Sequence, residues 1–149
     1  MESILPYHVL SSLSEAQVEQ LHALYQGEWW TVDRSLADVR TMLLHSDFTF
    51  GVVPPDSTQL LAFARVLTDR VFKALVFDVI VHPDHRSAGL GSFLMAHIMA
   101  HPVLSSVRHV ELYCRPEREG FYKRQGFTSE LGDLRFMRRT RGNESNANA

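Results

Sequence analysis

The chain has 149 residues, 45% of them hydrophobic and 21% charged, with a formal net charge of -2. This length fits one domain that can bury its own core without staples. The near-neutral balance gives no support to nucleic-acid binding, which shows as a clearly basic domain. The weak acidity is compatible with a cationic small substrate. One cysteine, Cys114, excludes an internal disulfide framework and suits a reducing compartment. The start MESILPYHVL carries no basic segment followed by a long apolar run, and no apolar stretch approaches a membrane span. The expectation is a cytoplasmic chain with neither nucleic acid nor membrane as partner.

In chain order, ILPYHVL (4–10) reads as a first strand. Ser14 followed by Gln17 has capping-box spacing, and Ala16, Leu21, Leu24 and Tyr25 continue with helical spacing. GEWW breaks that helix, and Ser35 with Leu36, Val39, Met42 and Leu43 starts a second. DFTFGVV and QLLAFARVL form two strands joined by PPDST, a turn built from proline and aspartate. KALVFDVIV is a third, long strand, too apolar for an edge. A helix from Gly89 to about His101 follows. VRHVELYC then gives a strand, PEREGFYKRQ a short helix ended by Gly126, and LRFMRR a last strand. The order β–α–α–β–β–β–α–β–α–β is a mixed α+β layout. Residues 1–141 read as one domain, and 142–149 as a polar, disordered tail.

The handover from the long strand to the helix carries RSAGLG, Arg86 to Gly91. A helix start presents N–H groups without intrahelical partners at the positive end of the macrodipole, and such a site takes phosphate oxygens where side chains stay out of the way. Gly89 and Gly91 let backbone come close to a diphosphate, Ser87 and Ala88 add amides with little bulk, and Arg86 supplies a cation or pins the loop. Leu90, Phe93, Leu94, His97 and Ile98 line one face of the following helix. A plain glycine-containing turn before an ordinary amphipathic helix is the alternative. There is no third glycine at dinucleotide-fold spacing and no Lys-Ser/Thr after the second glycine, so neither a Rossmann nor a P-loop fingerprint is met.

About thirty residues downstream stands EGFYKRQGF, Glu119 to Phe127. The loop and this segment together resemble the GNAT family of acetyl-CoA-dependent N-acetyltransferases. That family has an Arg/Gln-x-x-Gly-x-Gly/Ala loop after a long central strand, matched here by Arg86 to Gly91. Its second signature, FYxxxGF at the end of a later helix, is matched by Phe121, Tyr122, Gly126 and Phe127. DVIVHPDHR is also similar to the strand end preceding the family's loop. The resemblance covers residues 60 to 136 well and the amino-terminal third by element order.

The resemblance implies the acyl-CoA N-acyltransferase fold, a mixed central sheet flanked by helices on both faces, and transfer of acetyl from acetyl-CoA to a primary amine in a ternary complex. It implies that coenzyme A is held by Arg86, Ser87, Ala88, Gly89, Leu90, Gly91 and Ser92, by Val79, Ile80 and Val81 of the strand, and by Phe121. A strand amide around Val79 to Val81 would polarise the thioester carbonyl. Tyr122 would be the general acid for the departing thiolate; aromatic packing beside Phe121 and Phe127 is its structural alternative. Relatives often carry an asparagine near the next strand end, where this chain has Cys114, Arg115 and Pro116. A homodimer through the carboxy-terminal strands also follows from the resemblance alone.

Asp78 lies in the otherwise apolar LVFDVIV, where a buried carboxylate is costly without a partner. It is either a general base with a raised pKa or a carboxylate paired with a nearby Arg or His. Glu28, Glu111 and a water chain are the other candidates. In GEWWTVDR, Trp29 and Trp30 can wall an amine pocket or anchor the first helix, and Glu28 and Asp33 can meet a substrate ammonium or remain solvated. The acceptor is expected to be a small-molecule amine; a protein acceptor and a catalytically idle acyl-CoA sensor are the rivals.

Eight histidines invite a metal, yet no Cys or carboxylate stands at ligand spacing and HExxH is absent, so no metal is expected. His97 reads as core-facing and Cys114 as a small buried hydrophobe. Lys123, Arg124 and the basic run 135–141 read as solvated, with Lys123 or Arg124 within reach of an adenosine phosphate.

Overall fold

The structure, a computed structural model, describes residues 7–142. Strand β1 (His8–Leu10) leads into helix α1 (Glu15–Gln26) and helix α2 (Leu36–Leu44), followed by β2 (Phe48–Val53), β3 (Ala62–Thr68) and β4 (Lys73–Val81). Helix α3 (Leu90–Met99), the short β5 (His109–Glu111) and helix α4 (Glu119–Arg124) complete the regular elements, with single 3₁₀ turns before α3, β5 and α4. The sheet order is β1-β2-β3-β4-β5. Its first three pairings are antiparallel and the last is parallel, so α3 serves as the crossover from β4 to β5.

The local signals near the amino terminus are used as the sequence places them. Ser14 accepts the N–H of Gln17 at 3.2 Å, and the Gln17 amide oxygen accepts the N–H of Ser14 at 2.9 Å, closing the capping box. Gln17 is buried, and its amide nitrogen donates to the carbonyl of Thr58 at 2.9 Å, tying α1 to the segment before β3. Ser35 caps α2 through the N–H of Asp38.

Two cores lie on opposite faces of the sheet. Leu21, Tyr25 and Val39 from the first two helices pack with Leu60, Phe63 and Ile80. On the other face Leu90, Leu94, Met95 and Ile98 of α3 pack with Phe50, Ala64, Val76 and Tyr122. Helices therefore cover both faces of a mixed sheet, as the resemblance implies. The buried stripe of α3 runs through Met95, leaving His97 exposed rather than core-facing.

The carboxy-terminal third departs from the expected strands. The strand expected over 107–114 shrinks to His109–Glu111 because its pairing with β4 ends at Leu75↔Glu111. Cys114 lies beyond that point and is exposed, not buried. The strand expected at 134–139 does not form: this stretch takes no ladder partner, and Leu134, Phe136 and Met137 are exposed. A strand exists only through the neighbour it pairs with, and what holds this segment is stacking of Phe136 on Tyr113, with ring centroids 4.6 Å apart. Of the expected first strand, residues 4–6 lie outside the described residues, as do 143–149 of the expected tail.

Removing the cap hydroxyl with Ser14→Ala leaves the N–H of Gln17 without its side-chain acceptor. The expected cost is about 1 kcal/mol, read as a thermal midpoint lower by about 2–4 °C.

Candidate active site

The site begins where β4 and β5 part. Their parallel ladder pairs Lys73 with His109, Ala74 with Val110 and Leu75 with Glu111, and there it stops. Strand β4 continues to Val81, so Val76 to Val81 face a notch on that side. Which amides point into it follows from alternation. The N–H of His82 donates to the carbonyl of Leu61 on the β3 side at 2.7 Å; Ile80 therefore also faces β3, while Val81 and Val79 turn their N–H and C=O groups to the notch. The Val81 carbonyl accepts from Arg86 Nε at 3.0 Å, consistent with that direction. Of the three strand residues expected to meet coenzyme A, Val79 and Val81 aim backbone at the notch. Ile80 does not, and its side chain is buried against α1.

A bulge accompanies the splaying. Phe63 pairs with Ile80 and Arg65 with Phe77, so Ala64 stands opposite both Asp78 and Val79. Asp78 takes the extra residue's place at φ +60, in the left-handed region that aspartate tolerates better than most residues. Its side chain, 5% exposed, accepts from Arg34 Nη1 at 2.6 Å, Arg34 Nη2 at 3.2 Å, Arg65 Nε at 2.8 Å and the Tyr25 hydroxyl at 3.0 Å. Burial pushes this carboxyl up, but the hydrogen bonds and charges of Arg34 and Arg65 outweigh it and hold the group below its ordinary value. Of the two readings of Asp78, the general base with a raised pKa is overturned and the paired carboxylate holds, with two guanidiniums at once. The Tyr25 phenol is pushed up, by burial first and then by Asp78.

The loop after β4 closes around a short turn, Pro83–His85, and reaches α3 through Ser87 at φ +70 and Gly89 at φ +82. Gly89 is the N-cap of α3 and gives no side-chain cap. The first intrahelical bond is Phe93 N–H to the Gly89 carbonyl, 2.9 Å, so the amides of Leu90, Gly91 and Ser92 have no partner within the helix. A Cβ on Gly89 would meet nothing within 4 Å, so the space beside this N-cap is open. This cradle has the donors and the clearance a diphosphate needs.

The two glycines differ in purpose. Gly89 is required by its backbone angle and by the open cradle. Gly91 is required by packing, because a Cβ there would stand 3.2 and 3.4 Å from ring atoms of Phe121. Leu90 turns its side chain into the core, and the Ser92 hydroxyl accepts from Gln125 Nε2 at 3.1 Å, tying α3 to α4. Arg86 pins the loop: beyond its bond to Val81, its guanidinium meets the Glu28 carboxylate at 2.6 Å. Glu28 is therefore engaged, as is Glu111, paired with Lys73 at 2.8 Å.

Tyr122 lies on α4 with 8% exposure, between Phe121 and Phe127, in the core that also holds Val76 and is flanked by Val79. Burial pushes its phenol up to about 12. Trp29 is 69% exposed, with the Arg115 guanidinium 5.0 Å from its ring centre, so it anchors nothing in the core. That task falls to buried Thr31, whose hydroxyl donates to the Tyr25 carbonyl at 2.8 Å. Beside the end of β4 a cleft of about 490 Å³ is lined by residues that include Gln20, Leu24, Glu28, Gln59, His82 and Pro83.

Sequence reasoning missed Arg34, Arg65 and Tyr25 as parts of this site. The signal available was Arg65 inside the apolar AFARVL, a buried charge that called for a carboxylate partner. Among the described residues no three His, Cys, Asp or Glu side chains gather as a metal would need, and no helix is long and apolar enough to cross a membrane.

The comparisons with known proteins agree with this geometry. Residues 49–129 match the model of the acetyltransferase (GNAT) domain. The chain is 32% identical over 104 residues to GCN5-related N-acetyltransferase 1, chloroplastic, of Arabidopsis thaliana, covering 70% of this chain and 53% of that protein. A GNAT-family protein of Xanthomonas campestris superposes with a TM-score of 0.75 at 34% identity, covering 91% of this chain and 94% of that one. An aminoglycoside N-acetyltransferase solved in complex with CoA shares the fold at a TM-score of 0.70 and 14% identity, covering 93% and 98%. A central strand that splays from its parallel neighbour beside an uncapped, glycine-led helix start, with the family's domain model spanning both, establishes that this chain belongs to the GNAT acetyltransferases.

Proposed function

We propose that the chain transfers the acetyl group of acetyl-CoA to a primary amine of a small molecule, by direct attack in a ternary complex. The observation that carries this reading is the notch, where β4 runs on past the end of its ladder with β5 and turns the amides of Val79 and Val81 into the gap. Bound acetyl-CoA supplies the thioester whose carbonyl carbon the amine attacks. Everything else is work for the chain's own groups.

The amides of Leu90, Gly91 and Ser92, with the positive end of α3 behind them, suit a diphosphate. The N–H of Val79 or Val81, fixed by the strand, suits the oxygen on which negative charge develops; one such donor is typically worth about 3 kcal/mol. The Tyr122 phenol holds its proton far past neutrality, since burial favours its uncharged form up to about 12, and so can give it to a sulfur leaving as thiolate. Asp78 is spent on two arginines and Glu28 on Arg86, which favours water as the group that takes the amine's proton. The cleft of about 490 Å³ beside Glu28 and His82 has the size of a small-molecule pocket.

The expected cytosolic location gains no support from the relatives, since the Arabidopsis protein is named as chloroplastic. What we retain is a reducing compartment, which an exposed, unpaired Cys114 suits.

Two experiments test the reading. Tyr122→Phe keeps the ring and removes the proton, so kcat over a panel of amines should fall about a hundredfold while coenzyme A binding by calorimetry stays near wild type. An unchanged kcat removes Tyr122 from the acid role, and tight coenzyme A binding by a wild-type protein that acetylates no amine makes it a sensor. At the cradle, Gly89→Val should abolish coenzyme A binding and cost about 1–2 kcal/mol for a side chain at positive φ. Gly89→Asn, whose side chain accepts the left-handed region, should retain the melting temperature better and still bind weakly. Normal affinity in both variants would show that the cradle is elsewhere.

A further inference from the structure

The bulge in β4 is the feature on which the notch's chemistry turns, and its cost is visible. A non-glycine residue in mid-strand stands at φ +60, with two residues opposite one on β3. Such a conformation persists where its surroundings over-determine it. What surrounds it is unusual in its concentration. One carboxylate, with its side chain 5% exposed, takes four hydrogen bonds from three side chains on three different segments. Tyr25 comes from α1, Arg34 from the connection between α1 and α2, and Arg65 from β3 itself. The rings add to the grip. The Arg34 guanidinium lies 4.8 Å from the Tyr25 ring centre, and that of Arg65 lies 4.8 Å from the ring of Phe77, the residue before Asp78. Phe77 and Asp78 thus both reach Arg65, so two consecutive residues lean to one face, as a bulge demands.

The effect on the next residue is direct. Without the extra residue, pairing would continue Arg65↔Phe77 into Ala64↔Asp78 and Phe63↔Val79, and every group beyond would shift by one. The amide of Val79 would then turn to β3 and that of Ile80 to the notch, while the Ile80 side chain would leave the core of α1 and α2.

We propose that Asp78 is a positioning residue, whose carboxylate, clamped by Arg34, Arg65 and Tyr25, holds the β4 bulge and thereby aims the Val79 amide at the acetyl carbonyl. The assignment rests on the acetyl-transfer reading above for its catalytic consequence, but the clamp itself is a statement about the strand. It differs from a general-base role in what each partner should do. A base is lost only when its own carboxylate is lost. A clamp is loosened from either end.

The test compares Asp78→Asn, Arg34→Gln and Arg65→Gln in the full chain, with thermal melts to show that each is folded. Asp78→Asn should lower kcat about a hundredfold, the scale on which misplacement by 1 Å acts. Arg34→Gln and Arg65→Gln should each lower kcat about tenfold although the carboxylate remains, and Arg34→Lys should recover part of that loss. KM for acetyl-CoA should move less than twofold, and the pH–rate profile of Asp78→Asn should keep both limbs of the wild type. Loss of one limb in Asp78→Asn, with near-normal kcat in both arginine variants, would make Asp78 the base and overturn the clamp. Amide hydrogen exchange reads the strand without any activity. Exchange at the β3-facing amides of Phe77 and Ile80 should rise more than tenfold in Asp78→Asn, or in Arg34→Gln should the former not fold, while Lys73 to Leu75 stays protected. Unchanged exchange at Phe77 and Ile80 would refute the clamp, even for a protein that acetylates nothing. Raised exchange in a chain without acetyl transfer would uphold it and refute the enzymatic reading alone.

Discussion

The arrangement depends on one carboxylate held against its own backbone strain. Asp78 occupies a left-handed position in the middle of the central strand, buried, with two guanidiniums and a phenol as its company. Burying that charge alone would be prohibitive; burying it with partners makes a rigid joint. The joint fixes the bulge, the bulge fixes which amides face the gap, and the gap exists because β5 leaves β4 after Leu75.

Around this joint the rest of the chain supplies boundaries. Helix α3 delivers its uncapped end to the same side of the sheet as Tyr122, because Leu90, Leu94 and Ile98 pull one face of the helix into the core that Tyr122 also fills. The approach of α3 to α4 is set by the missing side chain of Gly91 beneath Phe121, and by the Ser92–Gln125 hydrogen bond. Arg86 ties the loop to the end of β4 and to Glu28 of the connection after α1, so the glycine-led loop and the cleft beside Glu28 share one salt bridge.

What could be read beforehand was what is decided locally. The capping box at Ser14 and Gln17, the cap at Ser35, and the strand–loop–helix with its two glycines depend on residues a few positions apart, and all stand where the spacing put them. The last strand, 134–139, was not legible as absent, because its apolar residues Leu134, Phe136 and Met137 suit a strand and only the lack of a neighbour decides against it. Asp78 was legible as an anomaly but not as a clamp. Its partners lie 44 and 13 residues away, and nothing in a linear pattern says that Arg34 and Arg65 converge on it. The packing reason for Gly91 is hidden from the linear pattern in the same way, since Phe121 meets it only in three dimensions.

The division of the hydrophobic interior into two separate clusters has a further meaning. The sheet acts as a bulkhead: α3, α4 and Tyr122 lie on one side, α1 and α2 on the other. Leu21 and Val39 are fully buried, so truncating either costs stability in its own compartment and leaves the packing around Tyr122 on the far side in place. The exception is the strand between them: Asp78, braced by Tyr25, Arg34 and Arg65 on one side, stands in β4 next to Val79, which packs against the cluster on the other.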